Sequence, residues 1–206
     1  MLTGVKTLVS RADGWQLRVI SPASLPALIR AEHEEIAGVI GYIPNRNILL
    51  DLKEQGIPAV ATVDLFSDVG IPLVSQNDKA IGRLAAEECL RRGFVNFGTY
   101  GVEVHEFARR RRQGFAERVV ETAPHACVRH YRRVRGYSPT RLHAMPPQAD
   151  SATTGWLKSL PKPAAIFALN DYFGAHLMQV CARNGLRVPE DIAVVGADDD
   201  PLWCEL

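Results

Sequence analysis

The sequence predicts an α/β fold of two lobes, each a parallel sheet flanked by helices. Short apolar runs alternate with amphipathic segments through all 206 residues. The runs end in Gly, Asn or Asp, as buried parallel strands commonly do. Repeated strand–helix alternation calls for right-handed crossovers, and these connect parallel strands.

The expected strands are QLRVI (16–20), IAGVIGYI (36–43), PAVATVD (58–64), NFGTYG (96–101), AIFALN (165–170) and IAVVGA (192–197). PLVS (72–75) and ACVRHY (126–131) are weaker strand segments. Helical spacing covers 24–35, where Ser24 can cap and Leu25, Leu28 and Ile29 share a face. It continues over 47–56, ending on Gly56 before Pro58, and over 79–93, where Ile81, Leu84, Ala85 and Cys89 form one stripe before Gly93. Residues 107–121 turn Phe115, Val119 and Val120 inward, and 171–185 do the same with Phe173, Leu177, Val180 and Cys181 before Gly185. The Pro-rich, polar stretch from Tyr137 to Ser151 reads as a long loop inside a lobe.

The first strands share one sheet up to about Asp64, and the segment from Asp68 to Asn77 then crosses to a second sheet. That places the lobes at residues 1–68 and 69–206. Small ligands bind outside the carboxyl ends of parallel strands. With two such sheets facing one another, strand-end residues from both would line one cleft.

Composition narrows the function classes. Lys and Arg number 24 and Asp and Glu 23, so a net charge of +1 gives no global footprint for nucleic acid or an anionic membrane. Any DNA contact is therefore expected through a domain absent from this chain. No apolar stretch approaches the roughly 20 residues that span a bilayer. The N-terminus lacks a signal-peptide pattern, and the expected setting is cytoplasmic. Cys89, Cys127, Cys181 and Cys204 fall in no C-x-x-C pair and at no zinc-ligand offset from a His. They read as buried or half-buried thiols in a reducing compartment. The phosphate-binding, dinucleotide and nucleophile-elbow glycine motifs are missing, and Ser, His and Asp show no triad spacing. No cofactor or metal is expected.

Polar groups stand at the strand ends. PAVATVD ends in Asp64, AIFALND in Asn170 and Asp171, and IAVVGADDD in Asp198, Asp199 and Asp200. Carboxylates, amides and guanidinium groups satisfy the donors and acceptors of a polyhydroxy ligand from several directions. Asp or Asn after a strand also serves simply as a cap or turn residue, so spacing alone leaves both roles open. In ARRRRQGF (108–115), four consecutive helical arginines point in four directions, so at most one or two face a cleft. A nucleic-acid patch, a solvated face and a single inward arginine are the alternatives. Arg129, Arg132, Arg133 and Arg135 form a second cluster, expected at the surface. His105 lies near the expected cleft, and His176 reads as packing.

GIPAVATVD (56–64), VSQNDKAIGRLAAEECLRRG (74–93), FGTYG (97–101), RRQGF (111–115) and AIFALNDYFGAHLMQVCARNGLRVPEDIAVVGADDD (165–200) occur in an order that resembles the sensor domain of LacI/GalR-type regulators. The likeness is strongest to the LacI-like sensor half of xylose-operon regulators of the AraC family. It implies the two-lobed type I fold of periplasmic-binding-protein-like domains, here incomplete. Set against that family, the chain begins partway along the first helix, after a missing first strand, and ends before the last return strands. Asn77-Asp78 stands where many relatives have Asp-Asn. The resemblance implies sugar contacts from Arg111, Asn170 and Asp198, with Phe107, Tyr172 and Trp203 placed to stack on a sugar or to pack in the core. It implies a sugar-sensing domain of a bacterial transcription regulator, not an enzyme. The ligand would be a pentose such as xylose, closing the two lobes. The full-length protein is expected to be a homodimer with no membrane partner. A cytoplasmic sugar enzyme using Asp198 or Asp171 as acid or base, or an exported solute-binding protein, is the alternative.

Overall fold

The computed structural model describes residues 2–11, 14–63, 65–102, 105–131 and 151–205. The chain divides into two compact units. The first comprises residues 1–62 and 66–74; the second comprises residues 63–65 and 75–206.

In the first unit, helices α1 (Leu2–Val9), α2 (Leu25–Glu32) and α3 (Arg46–Glu54) accompany a sheet of two short parallel strands, β1 (Val39–Gly41) and β2 (Ala59–Ala61). The α3 helix starts where the Asn45 side chain accepts from the Asn47 N–H and stops before Gly56, whose φ of +67° suits only glycine without strain. Leu25, Ile29, Ile43, Ile48, Leu49, Leu52, Ile57 and Val69 form its core. The segment expected as the first strand, residues 16–20, is irregular, and Leu17, Val19 and Ile20 are exposed. Apolar residues become a strand only where a neighbour takes up their backbone groups. Among the described residues this segment has no ladder partner, and Arg18 instead pairs with Glu32 on α2. PLVS likewise contributes one bridge, Leu73 to Ala61, rather than a strand.

The second unit is a four-stranded, wholly parallel sheet. Its strands are β3 (Phe97–Tyr100), β4 (Val128–Tyr131), β5 (Ala164–Ala168) and β6 (Ile192–Val195), in the order β4-β3-β5-β6. Period-two alternation sends successive β5 residues to opposite faces. Ala165 and Phe167 pack with Cys89, Phe115 and Val119 from α4 (Asp78–Arg91) and α5 (Glu106–Thr122). Ala164, Ile166 and Ala168 pack with Leu157, Phe173 and Leu177 from α6 (Ser151–Ser159) and α7 (Asp171–Arg183). A sheet covered on both faces explains why β5 reads as an unbroken apolar run and why β3 is buried along its whole length, Thr99 included. A one-turn helix, α8 (Pro201–Cys204), follows β6.

Helices α6 and α8 are additions to the sequence reading. The Tyr137–Ser151 loop lies outside the described residues, apart from Ser151, which opens α6. Two cysteines also correct it: Cys89 and Cys181 are buried, but Cys127 and Cys204 are exposed, the first just ahead of an outer strand and the second on the short α8. Among the described residues no helix is long and apolar enough to cross a membrane.

The tightest packing in the second unit is between α4 and α5. A Cβ on Gly82 would fall 1.9 Å from the Arg111 carbonyl oxygen, and one on Gly114 would fall 2.0 Å from the Lys79 carbonyl oxygen. Each helix therefore presents a glycine where the other's backbone passes. Gly82→Ala or Gly114→Ala is predicted to cost about 3 kcal/mol, because backbone rather than a flexible side chain must yield. Gly155→Ala, at a helical glycine with nothing within 4 Å, should instead gain a few tenths of a kcal/mol up to about 1 kcal/mol. Urea denaturation of the three variants checks this, and equal midpoints would refute it.

Candidate functional site

Sheet order fixes where a ligand can approach. From β3 the chain goes outward to β4 and then returns to the other side of β3 as β5, so the order reverses between β3 and β5. Beyond the carboxyl ends of such strands the crossover helices diverge and leave a crevice. At this edge the β5 chain continues through Leu169 and Asn170 into α7, and β6 continues into the acidic run 198–200.

The α5 helix carries Arg111 to this edge. Its inward face is Ala108, Arg111, Gly114, Phe115 and Val119, while Arg109 and Arg110 are exposed and ion-paired to Glu106. Helical spacing thus turns one of the four arginines inward. Arg111 is only 3% exposed. Its Nε donates to Asp78 Oδ1 at 2.9 Å, and its Nη1 donates to the Leu169 carbonyl at 2.9 Å. Its Nη2 donates to Gln76 Oε1 at 2.9 Å and to Asp198 Oδ1 at 2.7 Å. The Phe107 ring lies 5.2 Å from the guanidinium carbon, within cation–π range, and stacks on His105 with centroids 5.5 Å apart. Four of the five N–H donors are therefore held by protein acceptors. With these bonds Arg111 fixes the position of Asp78, Gln76 and Asp198 around it.

Asp78 is the first residue of α4, 4% exposed, where a carboxylate also meets the positive end of the helix dipole. Neither Asp78 nor Gln76 was among the site residues expected from sequence. The swapped Asn77-Asp78 pair was the only visible signal for Asp78, and Gln76 had none.

The other expected residues fall out as follows. The Asn170 side chain accepts from the Phe173 N–H at 3.0 Å, which is the capping alternative. Asp171 is buried, and its Oδ2 accepts from the Asp200 N–H at 2.9 Å, bracing the acidic run. A Cβ on Gly196 would sit 2.2 Å from Asp171 Oδ1, so the strand end is glycine where this carboxylate passes. Asp198 and Asp199 have φ of +109° and +52°, unusual for residues other than glycine and a form of strain that collects at functional edges. Trp203 is half-buried and packs edge-on against Tyr172 at the margin of the core, with centroids 5.2 Å apart. His176 bonds the Tyr100 hydroxyl at 2.7 Å inside the same core. Arg129 is exposed and donates to the Ser159 carbonyl. Asp64, Arg132, Arg133 and Arg135 lie outside the described residues.

The site is acidic on balance. Burial alone would lower the Arg111 pKa, but Asp198 and Asp78 together hold it above the usual guanidinium value. Asp198 titrates high: burial raises it most, Arg111 pulls it down, and the Asp171 and Asp78 carboxylates push it up again. His105 is lowered by burial and so favours the neutral imidazole. Among the described residues no group of His, Cys, Asp and Glu side chains forms a metal site. The arrangement offers hydrogen-bond donors and acceptors around one buried cation.

Residues 86–206 match the family described as the periplasmic binding protein-like domain. The chain is 25% identical over 174 residues to the xylose operon regulatory protein of Haemophilus influenzae, covering 81% of this chain and 43% of that protein. It is 32% identical over 156 residues to the ribose operon repressor of Halalkalibacterium halodurans, covering 74% of this chain and 43% of that protein. The chain thus spans less than half the length of either relative. A periplasmic binding protein/LacI transcriptional regulator from Alkaliphilus metalliredigens, solved with D-xylulofuranose, superposes with a TM-score of 0.70 at 18% identity, over 100% of this chain and 74% of that one.

Two outcomes follow from the charges. Arg111→Ala strands the buried Asp78 carboxylate without its partner and is predicted to cost about 3–5 kcal/mol of stability. Asp198 behaves oppositely. Its folded pKa lies above the unfolded value, so its contribution is greatest in acid and is lost as pH rises through the folded pKa. Asp198→Asn is therefore predicted to gain Tm relative to the parent between about pH 3 and about pH 7. A difference in Tm that stays constant over that range would refute the assignment.

Proposed function

Because the chain belongs to the periplasmic binding protein-like domain family, we propose that it is the LacI-like, sugar-sensing part of a bacterial transcription regulator. The observation that carries the proposal is the ring of polar side chains about Arg111 at the topological switch point of the parallel sheet. Acceptors and donors converge there from four segments: Gln76 and Asp78, Arg111, the Leu169 carbonyl, and Asp198. A sugar hydroxyl both donates and accepts, so a mixed set of this kind suits it better than it suits an apolar ligand. Phe107 supplies an aromatic face next to the guanidinium.

The preferred ligand is a pentose. Support comes from the relatives named for xylose and ribose operons and from the D-xylulofuranose bound to the Alkaliphilus protein. Arg111 and Asp198 are proposed as the central ligand side chains, with Asn170, Asp171, Phe107, Trp203 and Asp64 completing the set. Asn170 and Asp171 would act mainly through the backbone they fix. The chain is proposed to bind rather than turn over its sugar and to work in the cytoplasm. DNA would be read through a separate domain of an AraC-type protein, assembled as a homodimer.

Isothermal titration of the chain against a panel of pentoses and hexoses tests this. A pentose should bind more tightly than any hexose. Tighter binding of a hexose overturns the pentose assignment, and heat from none of the sugars overturns the sensor reading itself.

A further inference from the structure

We propose that Gln76 is a ligand-contacting residue which, paired with Asp198, selects an uncharged sugar by offering one donor and one acceptor to neighbouring hydroxyls. The inference rests on the sugar-binding reading above and adds to it a residue and a charge class.

The argument starts from a single nitrogen. Arg111 Nη2 donates at once to Gln76 Oε1 and to Asp198 Oδ1. A guanidinium has donors only, so the amide atom that meets it must be the oxygen. This fixes which way the Gln76 amide faces and leaves its Nε2, with two N–H donors, directed away from Arg111. Asp198 likewise spends one oxygen on Arg111 and keeps the other. Among the described residues neither Gln76 Nε2 nor Asp198 Oδ2 has a hydrogen-bond partner. Gln76 is exposed, and the Asp198 side chain is 37% exposed, while the arginine holding both is buried. The buried cation therefore displays a donor and an acceptor side by side at the surface of the crevice. Adjacent hydroxyls of one sugar can use both, one accepting from the amide and the next donating to the carboxylate.

Charge decides the class of sugar. The guanidinium already faces two carboxylates, Asp78 and Asp198, and Asp171 adds to the field at Asp198. The neighbouring helix N-termini hold no vacancy for an anion either. Asn77 caps α4 and Asn170 caps α7, and Asp78 and Asp171 occupy their first turns. Among the described residues at this edge, a sugar acid or sugar phosphate would meet surplus negative charge, with the Arg111 guanidinium already committed to Asp78 and Asp198.

The test titrates the full chain with D-xylose and D-ribose, and with D-xylonate and D-ribose 5-phosphate as their charged counterparts. The neutral sugars should bind at least about tenfold more tightly than the charged ones. Gln76→Glu keeps an acceptor for Arg111 and removes the donor, so it should weaken neutral-sugar binding about five- to tenfold with Tm unchanged or raised. Gln76→Met removes both groups and should weaken binding at least as much. If Gln76 only braces Arg111, Gln76→Glu binds like the parent while Gln76→Met does not, and the proposal is overturned. Xylonate binding as tightly as xylose overturns it too. If none of the four probes binds the parent chain, the sensor reading fails and takes this inference with it.

Discussion

The polar edge of the four-stranded sheet depends on how closely α4 and α5 cross. At Gly82 and Gly114 each helix leaves out a side chain where the other's backbone passes, and each replaced Cβ would overlap a carbonyl oxygen. Only at that separation does Arg111, one turn before Gly114, reach Asp78, one turn before Gly82. The apolar contacts of the same helices, Cys89 and Ala86 with Phe115 and Val119, bury the interface but do not set its distance. Two glycines therefore determine where a buried cation sits, and that cation determines how Gln76 and Asp198 face.

Around Arg111, stability and binding pull in different directions. A buried guanidinium with two carboxylates and a backbone carbonyl is well satisfied, and removing it would leave a buried charge behind. The acidic run is less comfortable. Asp198 and Asp199 adopt positive φ, burial and neighbouring acids raise the Asp198 pKa, and the run is held by the Asp171 bond to the Asp200 N–H. Strain of this kind persists where the surrounding structure over-determines it. Here the restraint comes from α7, whose first residue is Asp171 and whose buried face anchors the opposite side of the sheet.

The two units differ in how much structure supports each strand. In the second, β3 and β5 each have a partner on both sides and are completely buried. In the first, β1 and β2 are three residues long, and Ile40 and the 15–20 segment leave apolar side chains exposed. Local propensity for strand is similar in QLRVI and IAVVG. Among the described residues only the latter has a neighbour, β5, to complete its ladder.

By itself the sequence determined the alternation of parallel strands and helices, the helix stops at Gly56, Gly93 and Gly185, and that at most one or two of the four arginines could turn inward. Each of these is written in local periodicity or in a glycine, and none needs distant residues to be read. The sequence also placed Asp198 and Asn170 at strand ends, but it could not separate a cap from a contact. Tertiary structure set which protein partner each side chain meets. Asn170 spends its oxygen on the Phe173 N–H, whereas Asp198 spends one oxygen on an arginine 87 residues away in the chain. The same holds for Gln76 and Asp78, which became part of the site only through an arginine on another helix, 35 and 33 residues distant. Local pattern reports which face a residue takes; which partner it meets there is set by helix separation and sheet order, and these exist only once the chain has folded.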